Sequence, residues 1–397
     1  MMQQESSPQP VRRLSYFHDA LSLCTVDFPI FYIESISERH VVIAGGGGSS
    51  KTGVYNQINI VELSPSNGSC YAALVAKYKD IPDAIMTASL IRELPISKTR
   101  LVTGGQHPTI YQLSFDSVSK NLNIKTHETL KDSRVRSEIK CVKYAGGRIC
   151  AGGIDGQLTI WDDKELTGEI KAHSKEIDEI DVDTVNEHVL TLSRGEGRLV
   201  LWNLSDLKHI KEYTNKDFNR TPGVTYCLRS CKYAFETSNK GIFPSLIVAC
   251  NPIPAKNQPC LLSKMSVKSN ELSVITNKLI AADGVMAMTI SSDGKHVAIG
   301  TRSGGVAIFD VRNLAQIYYI NNVHHNAVTD LAFLPPTQES LALTDSKMCP
   351  LLSVSIDRRL ILHRPKGQSF PMKLLKYVLI MLVIYLIFFF TSKYTLN

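Results

Sequence analysis

The sequence predicts an all-β fold built from repeated units, and three observations lead to that prediction. No long amphipathic helix is apparent over residues 1–365. Short apolar runs recur there instead, each closed by Gly, Asp, Asn or Ser, which is typical of β-strands bounded by turns. A similar strand ending also returns roughly every 40 to 55 residues. Repeats of this length, made of short strands, indicate a β-propeller in which each repeat forms one blade.

The recurring strand ending places an apolar, an aromatic and a polar residue in succession. Its clear copies are Ile160-Trp161-Asp162, Leu201-Trp202-Asn203 and Ile308-Phe309-Asp310, and weaker copies are Ile110-Tyr111-Gln112 and Leu362-His363-Arg364. A terminal Trp-Asp at this spacing is the signal of WD repeats. The spacing predicts a seven-bladed WD-repeat β-propeller whose blades begin near Pro29, Ala84, Glu138, Ile177, Gly223, Val285 and Val328.

Blades five and seven depart from the common pattern. The prolines in Asn251-Pro252-Ile253-Pro254 interrupt blade five, and a polar insertion from Pro335 to Pro350, expected to be a loop, enlarges blade seven. Blade seven offers only three strands, and an open propeller would expose a sheet edge. We therefore predict that Val11–Phe17 supplies its fourth strand. The propeller then spans residues 11–365 and follows a disordered stretch at residues 1–10.

The end of the sequence differs from everything before it. The run from Leu374 to Phe390 is almost entirely apolar and predicts a single transmembrane helix at residues 374–391. A basic linker at residues 366–373 precedes it, and a short lumenal tail at residues 392–397 follows. Because Lys and Arg cluster before the span, the propeller is expected to face the cytosol.

Composition excludes several functions for this 397-residue chain. The formal charge of +7 is modest and no basic stripe alternates with aromatic residues, so nucleic-acid binding is not expected. The nine cysteines are scattered; Cys227 and Cys231 are the only close pair, and no Cys or His cluster faces them, so reduced, mostly buried thiols are expected rather than a zinc site. No Ser-His-Asp, Cys-His or HExxH constellation supports an enzyme or a small-molecule substrate.

Other polar residues have structural explanations. His173, Ser193 and Trp202 resemble the buried hydrogen-bonding set of a WD blade, and His324 and His325 are expected to serve the same purpose near Asp357. An acidic run is expected to lie on a solvated strand edge or blade surface, and it consists of Asp178, Glu179, Asp181 and Asp183.

A glycine-rich stretch lies between two strand-like runs of the first blade. It begins with Gly45, Gly46, Gly47 and Gly48 and continues through Ser49-Ser50-Lys51-Thr52-Gly53-Val54-Tyr55-Asn56. Ordering four glycines is entropically costly, so an ordered run serves backbone conformations that a Cβ would forbid. Two alternatives stay open: a phosphate-binding loop, although Ser50 stands where that motif needs Gly and a strand follows instead of a helix, and a slack hairpin without a task.

The propeller, the apolar C-terminal run and Gly45–Gly48 followed by Thr52-Gly53-Val54-Tyr55-Asn56 occur together. In this combination the chain resembles the endoplasmic-reticulum guanine nucleotide-exchange factors of the prolactin regulatory element-binding protein family. These proteins activate the small GTPase of the coat protein complex II budding pathway. The glycine run with Thr-Gly-x-x-Asn is the specific part of the resemblance, and this chain carries Tyr55 where the family often has Pro.

The resemblance implies a role for each part of the glycine stretch. It implies that backbone carbonyls of Gly45, Gly46, Gly47 and Gly48 bind a potassium ion, the one cofactor expected. It implies that Thr52, Gly53, Val54, Tyr55 and Asn56 contact the GTPase, with Asn56 acting directly on the nucleotide site. An exchange factor accelerates GDP release without covalent chemistry. The alternative is a non-catalytic escort or scaffold for cargo that leaves the endoplasmic reticulum, because a propeller face is a general protein-binding surface.

Overall fold

A computed structural model gives the fold of the chain. It describes residues 20–49, 53–66, 69–79, 81–93, 98–116, 121–218, 223–238, 241–254, 258–268, 271–280, 282–344, 346, 348–365 and 380–385. The predicted disordered stretch at 1–10, the linker at 366–373 and the tail at 392–397 lie outside these residues.

Seven antiparallel sheets of four strands each make up the described chain. Blade one contains β2 (Ile30–Ser35), β3 (His40–Gly45), β4 (Gln57–Ser66) and β5 (Ser69–Tyr78). Blade two contains β6 (Ala88–Ile91), β7 (Arg100–Thr103), β8 (Thr109–Asp116) and β9 (Asn121–Thr129). Blade three contains β10 (Ile139–Ala145), β11 (Arg148–Gly153), β12 (Gln157–Asp162) and β13 (Glu165–Lys171). Blade four contains β14 (Glu179–Asp183), β15 (His188–Ser193), β16 (Arg198–Asn203) and β17 (His209–Thr214).

The remaining blades repeat the same order of strands. Blade five contains β18 (Thr225–Ser238), β19 (Gly241–Ile253), β20 (Cys260–Lys268) and β21 (Glu271–Ile280). Blade six contains β22 (Val285–Ile290), β23 (His296–Thr301), β24 (Val306–Asp310) and β25 (Gln316–Ile320). Blade seven contains β1 (Ala20–Thr25), β26 (Val328–Phe333), β27 (Leu351–Ser355) and β28 (Arg359–His363). Two short helices, α1 (Asn215–Phe218) and α2 (Gln338–Leu341), lie in connections.

The first strand of each blade contacts the first strand of the next, and β26 contacts β2, so the innermost strands form a closed ring. The core lies between neighbouring blades, where apolar residues of facing sheets interdigitate; Ile60 of blade one and Leu101 of blade two belong to one such cluster. The predicted seven-bladed all-β propeller is confirmed. Despite its prolines, blade five is complete and has the longest strands.

A strand from the N-terminal side of the chain closes the ring, but it is not the predicted one. β1, Ala20–Thr25, pairs antiparallel with β28 and completes blade seven. The predicted closing strand, Val11–Phe17, lies outside the described residues. The assignment to Val11–Phe17 is wrong because β1 already holds the fourth position of the blade. Burial fixes this pairing, since Ala20 and Leu23 of β1 lie in the core.

A buried hydrogen-bonded relay stabilises blade four, although one predicted member is wrong. Trp202 Nε1 donates to Thr191 Oγ1 at 2.9 Å, and that hydroxyl lies 2.9 Å from His173 Nε2. His173 Nδ1 lies 2.8 Å from a Glu196 carboxylate oxygen, which can only accept, so Nδ1 carries the proton. Ser193 does not take part. It pairs with Arg198 at the end of the strand, whereas Thr191 is nearer to Trp202 in the ladder.

Blade seven repeats this relay with a histidine in place of the tryptophan. His324 Nδ1 lies 3.1 Å from Asp357, as predicted, and its Nε2 lies 2.7 Å from Ser353 Oγ. Ser353 Oγ also lies 2.7 Å from His363 Nε2. The backbone N–H of His325 donates to Asp357 at 2.9 Å. Burial, followed by the nearby His324, lowers the pKa of His363 to about 3, so the His363 ring is neutral.

The acidic run of blade four is not a solvated edge, and that prediction is wrong. β14 is an innermost strand, where alternate residues face the neighbouring blade. Asp181 is buried, accepts a hydrogen bond from the backbone N–H of Tyr233 at 2.7 Å and pairs with Lys143 at 3.1 Å. Burial works to raise the pKa of Asp181, but Lys143 and Lys232 lower it on balance. Asp181 therefore connects blade four to blades three and five rather than facing solvent.

The C-terminal prediction stays a prediction. Residues 380–385 are helical and exposed, whereas Leu374, Phe390 and the rest of the predicted span at 374–391 lie outside the described residues. Within the described part of the chain, no helix combines the length and the apolar character needed to cross a bilayer.

Candidate functional site

The glycine stretch connects the second and third strands of blade one. β3 and β4 pair in register from His40 opposite Glu62 to Gly45 opposite Gln57. We call residues 46–56 the glycine ribbon; Ser50, Lys51 and the predicted contact residue Thr52 lie outside the described residues. Both ends of the ribbon are therefore fixed by a regular antiparallel ladder. The strand that follows it also excludes a phosphate-binding loop, which must lead into a helix.

The first glycines are required by close packing at the base of the ribbon. A Cβ on Gly45 would lie 2.0 Å from the carbonyl oxygen of Pro29. Gly46 has φ +146°, and its Cβ would lie 2.2 Å from Asn56 Oδ1. The backbone N–H of Gly46 donates to the Pro29 carbonyl at 3.1 Å. The base is consequently a packed structure in which only glycine fits, which contradicts the slack-hairpin alternative.

Asn56 closes the ribbon on itself. Its Oδ1 accepts from the backbone N–H of Gly48 at 3.0 Å, and its Nδ2 donates to the Gly48 carbonyl at 3.3 Å. Nδ2 also lies 3.4 Å from the carbonyl of Ile81, in the connection between blades one and two. The side chain is only 8% exposed. The structure thus places Asn56 inside the base, where it sets the shape of the ribbon.

Tyr55 is the prominent exposed side chain of the described ribbon. It is 63% exposed, while its neighbour Val54 packs partly against the core cluster between blades seven and one. The ammonium of Lys79 lies 4.6 Å from the centre of the Tyr55 ring, a cation–π contact. Met86, in the same connection as Lys79, is also largely exposed. Gly53, the next predicted contact residue, has φ +79° and open space around it.

One carboxylate beside the ribbon was not predicted from the sequence. A Cβ on Gly48, which has φ +82°, would lie 3.5 Å from Asp83 Oδ1. Asp83 is half-buried and accepts from the backbone N–H of Ala84 at 2.7 Å. It belongs to the connection that leads into blade two, and no spacing rule links that connection to the ribbon. The only available signal is that blades are adjacent in space.

The donors around the ribbon suit a large monovalent cation. Carbonyl oxygens of a side-chain-poor backbone are the ligands that potassium channels use. The Gly48 carbonyl keeps a second lone pair beyond its bond to Asn56, and Asp83 supplies one negative charge nearby. The Gly48 carbonyl and Asp83 are therefore the kind of donors that the implied ion needs, and a contribution from the carbonyls of Gly45, Gly46 and Gly47 stays a prediction.

Comparison with known proteins agrees with the family resemblance. No protein-family model matches the chain. The guanine nucleotide-exchange factor SEC12 of the rat, Rattus norvegicus, is 22% identical over 94% of this chain and 98% of that protein. SEC12 of the yeast Candida glabrata is 19% identical over 84% of this chain and 72% of that protein. The predicted resemblance is confirmed: the chain is similar to SEC12 exchange factors over most of its length.

A solved structure supports the fold independently. The WD40 β-propeller domain of Doa1 matches with a TM-score of 0.57 and covers 90% of this chain and 99% of that domain. Its sequence is 12% identical, so the likeness concerns the fold alone.

Proposed function

We propose that this protein is a guanine nucleotide-exchange factor for the small GTPase of the coat protein complex II pathway. The main support for this proposal is the packed glycine ribbon, which presents an exposed Tyr55 in a chain similar to SEC12 exchange factors. The ribbon is fixed at its base by Asn56 and exposes Tyr55, as expected of an element that enters a partner's site. Its partner is the GTPase, and no bond is made or broken in the reaction.

Exchange follows from linkage between two binding equilibria. A protein that binds nucleotide-free GTPase more tightly than the GDP-bound form must lower the affinity of the GTPase for GDP by the same factor. Residues 53–55 of the ribbon would contact the nucleotide site, and the exposed aromatic ring of Tyr55 would provide most of the buried area. Asn56 would act by holding this shape, since its amide is already bonded within the ribbon.

Potassium would stabilise the ribbon in its active shape. Gly45, Gly46, Gly47 and Gly48 would offer backbone carbonyls, and Asp83 would offset part of the positive charge. The ion supplies electrostatic order to a segment whose glycines would otherwise favour many conformations. Leu374–Phe390 would hold the propeller on the cytosolic side of the endoplasmic-reticulum membrane, where the GTPase acts.

GDP release from the coat protein complex II GTPase tests this proposal. The full chain, in detergent or in vesicles, should accelerate release of a fluorescent GDP analogue in potassium buffer and less in sodium buffer. Asn56→Ala removes three hydrogen bonds at the base of the ribbon and should lower the acceleration about tenfold or more, equivalent to about 1.4 kcal/mol. The same acceleration in Asn56→Ala would contradict the role proposed for Asn56 and for the packed base of the ribbon.

The variant Tyr55→Ala tests the contact between the ribbon and the GTPase independently of the folding of the propeller. It should reduce exchange while leaving the melting temperature unchanged, because the side chain is exposed. Tyr71→Ala on β5 of the same blade is the matched control: Tyr71 is 53% exposed but lies outside the ribbon, so exchange should be retained. If the unaltered chain gives no acceleration in potassium, the function is instead that of an escort or scaffold.

A further inference from the structure

Three potential metal ligands meet at the opposite end of the propeller from the glycine ribbon. They are Asp293, in the turn between β22 and β23; His296, the first residue of β23; and Cys349, just before β27. Connections between first and second strands lie at the other end of an antiparallel blade from connections between second and third strands. The cluster therefore lies far from the proposed GTPase contact and joins blade six to the insertion of blade seven.

The ligand atoms are close to the separation that a metal ion needs. One ligand atom from each residue lies within 4.8 Å of the others. In a tetrahedral zinc site, with metal–ligand bonds of about 2.0–2.3 Å, ligand atoms are roughly 3.3–3.8 Å apart. A contraction on the order of 1 Å would complete the site. Two of the ligands lie in or next to turns, where such a movement is easily accommodated.

The hydrogen bonds of this turn hold Asp293 in place but do not involve Nδ1 of His296. Asp293 Oδ1 accepts from Ser291 Oγ at 2.6 Å and from the backbone N–H of Lys295 at 3.2 Å, which fixes the carboxylate. His296 Nδ1, by contrast, is buried and has no hydrogen-bond partner among the described residues. A buried ring nitrogen without a partner is costly unless a ligand occupies that position.

The donor set favours a cation with affinity for sulfur and nitrogen. Cys349 offers a sulfur atom, His296 an imidazole nitrogen and Asp293 a carboxylate oxygen. The thiol of Cys349 loses its proton to solvent when the metal–sulfur bond forms, so binding of a divalent cation is linked to release of a proton. The mixed sulfur, nitrogen and oxygen set suits Zn²⁺ rather than Mg²⁺ or Ca²⁺.

We propose that Asp293, His296 and Cys349 bind one zinc ion, with water in the fourth position, and so fasten the insertion of blade seven to blade six. Two side chains of the insertion are already buried: Leu343 packs in the core cluster between blades seven and one, and Cys349 in the cluster between blades six and seven. The exposed Lys295 ammonium, 3.3 Å from Asp293 Oδ2, would move aside. Sequence spacing does not reveal such a site because Cys349 comes from a different blade than the other two ligands.

Metal content of the tag-free full chain in detergent tests the site. After removal of metal with a chelator, addition of Zn²⁺ and dialysis, about one zinc per chain should be retained, and binding should release about one proton. Co²⁺ in place of zinc should give a thiolate-to-metal charge-transfer band. Cys349→Ser should weaken zinc binding about a hundredfold or more and abolish that band.

Cys24→Ser is the matched control, because Cys24 is likewise a free cysteine of blade seven and lies outside the cluster. Asp293→Asn preserves the shape and size of the side chain, so it should weaken zinc binding without unfolding the turn. The cobalt spectrum of the unaltered chain needs no variant and decides the matter if Cys349→Ser misfolds. Zinc retention equal in Cys349→Ser and Cys24→Ser, or a cobalt spectrum without a thiolate band, would overturn the proposal.

Discussion

Blades one and four have the same four antiparallel strands but different connections between their second and third strands. In blade four this connection is a tight turn at residues 194–197, and the Glu196 carboxylate accepts from His173 and from the backbone N–H of Lys175. In blade one the connection is the glycine ribbon, and the neutral amide of Asn56 bonds Gly48 and Ile81. Each of these connections is therefore hydrogen-bonded to the connection that joins its own blade to an adjacent blade.

The difference shows how a propeller can present a long loop without weakening a blade. Blade four uses a charged, buried relay that continues through Thr191 to Trp202 and leaves nothing projecting. Blade one keeps the tie at the base, where Gly46 and Asn56 pack, and extends beyond it to the exposed Tyr55. Order at the base and exposure beyond it are therefore properties of separate residues, which separate variants can probe.

The largest expected effect comes from adding one carbon to the base of the ribbon. In Gly46→Ala the Cβ would meet Asn56 Oδ1 at 2.2 Å and Asn56 Cα at 2.5 Å, and φ is +146°. Because the second contact is with a backbone atom, rotation of the Asn56 side chain cannot relieve it, and the ribbon must move. We expect GDP exchange to fall to background and the free energy of unfolding to fall by about 1–3 kcal/mol.

Gly105→Ala is the control for Gly46→Ala. Gly105 lies in the corresponding connection of blade two, has φ +119° and has no atom within 4 Å of its added Cβ. It should cost about 1 kcal/mol of backbone strain and leave exchange intact. Normal exchange by Gly46→Ala would show that the packed base is not needed for activity.

The second expected effect concerns stability and the buried relay of blade four. Thr191→Val keeps the shape of the side chain but leaves the Trp202 N–H and His173 Nε2 without their shared hydroxyl. We expect a loss of about 2–4 kcal/mol in denaturant unfolding, with exchange per folded molecule unchanged. Ser193→Ala, which removes a buried hydroxyl with no hydrogen-bond partner among the described residues, should change stability far less. Equal losses of stability in Thr191→Val and Ser193→Ala would show that Ser193 belongs to the relay.

The sequence predicted features that depend on local pattern. Strand endings such as Leu201-Trp202-Asn203 placed the blades, and the glycines placed the ribbon in the correct connection. Features set by contacts between distant segments could not be predicted. The closing strand was misplaced because alternation alone does not decide which N-terminal segment pairs with β28. Asp83 and Lys79 reach the ribbon from the next connection, so no spacing in the sequence indicates them.

The smallest expected effect is a difference in acid sensitivity between the two connections. Burial works to raise the pKa of Glu196, but hydrogen bonds from Ser174 and His173 lower it from 4.5 to about 2. A carboxylate with a lowered pKa stabilises the fold above pH 4.5, and this contribution is lost as the pH falls towards 2. Burial also lowers the pKa of His173 from 6.5, so protonation below that pH favours the open state as well.

Acid should thus loosen blade four while leaving the base of the ribbon, tied by the amide of Asn56, unaffected. Amide hydrogen exchange, measured at about pH 7, 5 and 3.5 and corrected for intrinsic rates, should show protection falling at Lys175 but not at Gly48. Glu196→Gln should remove the carboxylate part of this pH dependence. Parallel loss at both amides would mean that acid opens the propeller as a whole, and that the two connections do not differ in the way their hydrogen bonds indicate.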